Sequence, residues 1–151
     1  MSGRVLSQGL YRFDDFQIAD RFETANKKVS VELIDRFADL TGDHFAIHIS
    51  DDAAREVGFE RRVAHGLLIL SLIDGLKNQT AIEIKAVASL GWDWNFKRVV
   101  LAGDVIRAVF TVQSKRLTRD TTRGIITFAV DVLNQSDEIV QQGTNNLLVL
   151  V

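Results

Sequence analysis

Apolar residues recur at helical spacing through the first half of the chain and at every second position through much of the second half. Between Val31 and Thr41, the residues Val31, Leu33, Ile34, Phe37, Ala38 and Leu40 follow a helical period. Ser30 stands where an N-cap belongs and Gly42 where a helix stops, so VELIDRFADLT is predicted helical. A shorter helix is predicted over DDAAREV, entered from Ser50 or Asp51 and stopped by Gly58. From Gly66 to about Lys77, GLLILSLIDGLK is apolar almost all round, as suits a helix enclosed by other structure.

The period then changes. In DVIRAVFTVQSKRL, Val105, Arg107, Val109, Thr111 and Gln113 alternate with Ile106, Ala108, Phe110, Val112 and Ser114, and β-branched residues are frequent. This is read as a long strand. GIITFAVDVLN and EIVQQGTNNLLVLV are two more, joined through Asn134–Asp137, and AIEIKAVASLGWDWNF is a fourth with Trp92 and Trp94 on one face. Long neighbouring strands with short turns imply an antiparallel sheet. With one enclosed helix they predict an α+β architecture, a curved sheet wrapped around that helix.

Composition narrows the function. The 151 residues are 46% hydrophobic, enough for the core of one domain, read as spanning 1–151. With 18 basic and 20 acidic side chains the net charge is −2, which carries no basic footprint for nucleic acid. There is no cysteine, so thiolate catalysis, disulfides and cysteine-containing zinc sites are excluded. There is also no proline, where average usage of ~5% would give roughly seven. The beginning of the chain has no signal-like apolar run and the longest apolar stretch, Val63–Leu76, is interrupted by His65, Ser71 and Asp74. A cytoplasmic protein without membrane association is expected.

The densest polar cluster is Thr41-Gly42-Asp43-His44-Phe45-Ala46-Ile47-His48, just after a helix stop and so expected in a loop. Asp43 and His48 are a carboxylate and an imidazole that a turn can aim at one small volume for acid–base work. Their structural alternative is a turn-capping Asp and a satisfied His. Ala64-His65-Gly66 opens the enclosed helix, whose first N–H groups and positive dipole end suit an oxyanion, while Gly66 would admit a carbonyl with no Cβ in its way. On local evidence alone, close packing where that helix enters the sheet is the stronger account of the glycine. His44 and His48 have the i, i+4 spacing of a metal pair, but Gly42 argues against the continuous helix this needs, and no metal is expected. Trp92 and Trp94 suit a ligand platform, a core or an interface. Asp74, within the apolar helix, is either a hydrogen-bonded buried group or a pocket residue.

The stretch FADLTGDHFAIHISDDAAREVGFERRVAHGLLILSL resembles the MaoC-like dehydratase family, which includes the (R)-specific enoyl-CoA hydratases. In that family a Gly/Ser-Asp-x-Asn-Pro-x-His loop precedes a short acidic helix and a His-Gly that opens the central helix of a hotdog fold. Downstream, NFKRVVLAGDVIRAVFTV is similar to the family's turn into a long strand, so the resemblance runs from about Phe37 to Val112. It implies a hydro-lyase of acyl thioesters in fatty acid metabolism, hydrating a trans-2-enoyl-CoA to a 3-hydroxyacyl-CoA or running the reverse dehydration. Asp43 and His48 fall on the catalytic pair that handles the water. Gly66 falls on the residue whose N–H holds the thioester carbonyl, and Phe45, His65 and Asp74 would lie against substrate.

The resemblance further implies a coenzyme A or acyl-carrier-protein thioester as substrate, no separate cofactor, and a homodimer or higher homo-oligomer joined through the sheets. Phe45-Ala46 replaces the family's usual Asn-Pro, and Arg62 and Val99 stand where it often has proline. Arg61, Arg62 and Lys97 are candidate contacts for the nucleotide end. A non-catalytic thioester-binding protein and a thioesterase on the same fold are the competing readings.

Overall fold

Helix α1 (Val31–Thr41) begins and ends where the sequence pattern places it. The Ser30 hydroxyl accepts from the Leu33 N–H at 3.2 Å, and Gly42 closes the last turn with φ 79°, a left-handed conformation that glycine adopts without a Cβ penalty. The computed structural model describes residues 2–151. Two short helices follow, α2 (Ala46–Ile49) and α3 (Asp51–Glu56), the second capped by the Ser50 hydroxyl. Then comes α4 (Gly66–Lys77).

The sheet comes mostly from the second half. β5 (Ala86–Phe96), β6 (Val105–Leu117), β7 (Arg123–Leu133) and β8 (Ile139–Leu150) are the long strands. The first half adds β1 (Gly9–Tyr11), β2 (Arg21–Glu23) and β3 (Lys27–Lys28) around a 3-10 turn at Phe13–Asp15. One antiparallel sheet runs β2-β6-β7-β8-β5, with β3 also paired to β6. The predicted strand AIEIKAVASLGWDWNF is two strands. Its first part, β4 (Ile82–Ile84), leaves the main sheet to pair in parallel with β1, while β5 pairs with β8.

This is the hotdog fold: the sheet curves around α4, whose Leu68, Ile69, Ile73 and Leu76 share one buried cluster with Phe22, Phe110, Phe128 and Val130 from the strands. The helix is not enclosed all round as its composition suggests. Leu67, Ser71 and Gly75, one turn apart, form an exposed stripe, and Leu67 is 61% exposed. Among the described residues no helix is long and apolar enough to cross a membrane.

The N-terminal segment, which carries little periodicity, is tied down electrostatically. The Asp20 carboxylate, 1% exposed, accepts from the Arg4 guanidinium at 2.6 and 3.1 Å and from the Gln17 N–H at 2.8 Å. Burial works to raise its pKa, but these hydrogen bonds and the positive charge of Arg4 outweigh it and hold Asp20 below the usual carboxylate value.

Candidate active site

Three side chains converge where α1, α2 and the start of α4 meet. A carboxylate oxygen of Asp43 and one ring nitrogen each of His48 and His65 all lie within 4.8 Å of one another. Asp43 follows the Gly42 stop directly. Its N–H donates to the Thr41 hydroxyl, and its carboxylate accepts from the Phe45 N–H at 3.2 Å, a local turn that leaves the carboxylate exposed.

His48 sits on α2 and is buried. Its Nδ1 lies 2.6 Å from the Val63 carbonyl oxygen. A carbonyl can only accept, so Nδ1 carries the hydrogen and the neutral ring keeps Nε2 as its basic nitrogen. His65 is held by the same logic. Its Nε2 donates to the Asp43 backbone carbonyl at 2.9 Å, which pins the Asp43 loop against α4 and leaves a buried Nδ1 with no partner among the described residues.

The two imidazoles are stacked, with centroids 3.8 Å apart and planes 26° from parallel. Asp43, His48 and His65 have the composition of a metal site. Stacked rings, however, set their in-plane lone pairs side by side and not toward one point, which is unsuited to a tetrahedral ion. His44 does not join them. It pairs with Asp39 of α1, and that hydrogen bond, with a second donated to the Gly42 carbonyl, holds its pKa above the usual imidazole value.

A cavity of about 260 Å³ opens beside His48. Val63, Ala64, Ile69, Val99, Val100 and Phe96 give it apolar walls, and Gly66 lies at its edge as the first residue of α4. At that position the N–H has no intrahelical acceptor and the helix dipole is positive. A Cβ on Gly66 would lie 2.3 Å from the Phe96 ring, so any side chain there must displace that ring.

Gln141, 2% exposed, also lines the cavity and was not singled out from the sequence. Its amide donates to the Gly66 carbonyl at 3.0 Å while its oxygen accepts from the Trp94 indole at 2.8 Å. Trp94 is thereby a support for the helix start, edge to face with Trp92 at 5.2 Å.

The remaining sequence candidates lie elsewhere. Phe45, 63% exposed, N-caps α2 with its ring against the edge of His48 and is not among the cavity-lining residues. Asp74 is near the other end of α4, paired at 2.8 Å with the buried Lys77 beside Asn145 and Trp92. Arg61 and Arg62 are committed internally, Arg61 to Asp104 and the Ala102 carbonyl, Arg62 to Asp35 and the His48 carbonyl. Lys97 lines the cavity with Arg98, which pairs with Glu138.

A buried imidazole of fixed tautomer, a facing carboxylate and a helix start at the rim of an apolar cavity narrow the family. Residues 15–133 match the MaoC-like domain. The chain belongs to that family. It is 28% identical to the 3-hydroxybutyryl-CoA dehydratase of Methylorubrum extorquens over 131 residues, covering 87% of this chain and 79% of the relative. It is 32% identical over 91 residues to the (R)-specific enoyl-CoA hydratase of Aeromonas caviae, covering 60% and 67%. Among solved structures, a monoamine oxidase regulatory protein from Archaeoglobus fulgidus superposes with a TM-score of 0.87 at 28% identity, over 96% of this chain and 98% of the other.

Proposed function

We propose that this MaoC-like protein is a hydro-lyase of acyl thioesters, adding water to a trans-2-enoyl thioester to give the 3-hydroxyacyl thioester and catalysing the reverse dehydration. The observation that carries this reading is the Asp43 and His48 pair, with His48 lining the same cavity as Gly66. His48, with Nδ1–H on Val63, keeps Nε2 free, and one of its ring nitrogens lies within 4.8 Å of an Asp43 oxygen, so one water can be held between the two groups.

In hydration the pair takes a proton from water as its oxygen attacks the β-carbon, and electron density moves through the α-carbon to the thioester oxygen. The Gly66 N–H, at the positive end of α4, meets that developing charge. Delivery of the proton to the α-carbon restores the carbonyl and completes a syn or anti addition without redox change. The apolar walls from Ile69 to Val100 suit an acyl group, and Lys97 at the same cavity suits the phosphate-bearing carrier, coenzyme A or acyl carrier protein. Relatives named as dehydratase and hydratase of CoA thioesters support the same reaction class.

The assembly in this reading is at least a homodimer, in the cytoplasm. β5 is an 11-residue strand at the sheet edge, and Val87, Leu90 and Phe96 on it are 43%, 50% and 57% exposed. Such an edge invites pairing by a second copy.

The test follows enoyl absorbance and free thiol together with crotonyl-CoA. Absorbance lost without thiol release is expected. Thiol release would replace the reading with a thioesterase, and neither signal across a panel of enoyl thioesters would leave a binding protein.

A further inference from the structure

Helix α2 has only four residues, too few to hold its own direction, so the orientation of His48 must come from what grips α2 sideways. The grip is Arg62-Val63. The Val63 N–H donates to the Ile47 carbonyl at 2.9 Å and the Val63 carbonyl accepts from His48 Nδ1 at 2.6 Å. Arg62 completes it: Nε donates to the His48 backbone carbonyl at 2.9 Å, and its own N–H donates to Asp51, the first residue of α3, at 2.9 Å.

The other end of that guanidinium reaches a different element. Nη2 is paired with Asp35 of α1, and the Arg62 side chain is only 13% exposed while it does so. From Asp35, helix α1 continues to Thr41 and delivers Asp43 just past its Gly42 stop. One side chain therefore joins the helix that leads into Asp43 to the carbonyl of His48 itself. A planar, forked guanidinium can donate in two fixed directions at once, which a lysine ammonium cannot reproduce.

We propose that Arg62, held by Asp35, is a positioning residue that sets the separation of Asp43 and His48 and so governs turnover. The inference rests on the hydro-lyase reading of that pair. It makes the residue standing where the family often has proline part of this chain's own catalytic support, not a contact for the nucleotide.

Arg62→Gln, Arg62→Lys and Asp35→Asn are compared with the parent by steady-state hydration of crotonyl-CoA, well below each melting temperature. Misplacing reacting groups by about 1 Å can cost about 10²-fold. Arg62→Gln is expected to lower kcat by roughly 10- to 100-fold with KM within about twofold. Arg62→Lys should recover part of the loss, and Asp35→Asn should follow Arg62→Gln in direction. Two-bond 1H–15N spectra of the imidazoles, recorded without substrate, should show the Nδ1–H form of His48 in the parent and a mixture of tautomers in Arg62→Gln.

A variant that keeps parent kcat, or loses only KM, or melts lower while kcat and the His48 spectrum stay unchanged, overturns the proposal. Asp43→Asn assayed alongside separates the two ideas. If it is inactive while Arg62→Gln is parental, only the positioning role fails; if it hydrates at the parent rate, the catalytic pair itself is wrong. Should Arg62→Gln not fold, Asp35→Asn gives the same decision, because it removes the anchor and leaves Arg62 in place.

Discussion

The Phe96 ring packs directly over Gly66, so that a methyl group there would lie 2.3 Å from the ring. Phe96 is 57% exposed and can swing outward, so Gly66→Ala should fold with a modestly lowered melting temperature. Hydration should drop by about 10² or more, the scale for losing one oxyanion donor, since in the proposed mechanism the thioester oxygen is held at the N–H of this same residue. Adding Phe96→Ala should relieve the clash and bring melting to that of Phe96→Ala alone, without restoring turnover. Recovery of turnover in the double variant would show that glycine serves packing only.

Asp43→Asn keeps shape and removes the base, and His48→Gln keeps polarity and removes the titrating ring. Each should lower turnover by about 10² or more. Because both act on one transition state, the double variant should be scarcely slower than the worse single one. Multiplying losses in stopped-flow or steady-state rates would mean that the two residues serve separate steps.

Phe45 caps α2 without a side-chain hydrogen bond, and asparagine at an N-cap supplies the missing acceptor. Phe45→Asn should therefore leave acyl-length preference unchanged and raise stability by up to about 1 kcal/mol. A shifted chain-length profile over a panel of enoyl thioesters would place the ring in the acyl path after all.

Asp20 titrates below its unfolded value of about 3.9. Its contribution is then complete above that unfolded value and disappears as pH falls through the lower folded one. Melting temperatures measured between about pH 6 and about pH 2 should drop more steeply for the parent than for Asp20→Asn, which has no carboxylate to protonate. Parallel acid limbs for the two proteins would show that the Arg4 pairing adds nothing.

The edge of β5 gives the assembly prediction. Light scattering at micromolar concentration should give at least twice the 16.9 kDa chain mass, and Leu90→Lys should shift the population toward monomer. A parent that already scatters as a monomer removes the basis for this interface.

Local signals made much of this fold readable. Ser30 and Gly42 bracket α1 to the residue, and the alternation beginning at Val105 marks β6. What escaped was short or non-local. β1 to β3 have two or three residues each and α2 has four, too few for any period to register. The contact between His65 and the Asp43 carbonyl spans 22 positions, and Arg62 to Asp35 spans 27. Gln141 did carry a signal. Counting back by twos from the buried Val149 and Leu147 reaches Asn145 and then Gln141, two amides on an inward face, the pattern of a buried polar network.

Every group assigned to the chemistry, Asp43, His48 and Gly66, comes from the helical segment between α1 and α4, whereas the sheet side gives the cavity Phe96, Val100 and Gln141. The cavity walls are shared, with Val63, Ala64 and Ile69 from that same stretch and Phe96, Val99 and Val100 from after residue 95. Under the proposed reaction, a laboratory selection for new substrates should therefore collect its changes at these wall residues, before and after residue 95, and leave Asp43 and His48 untouched.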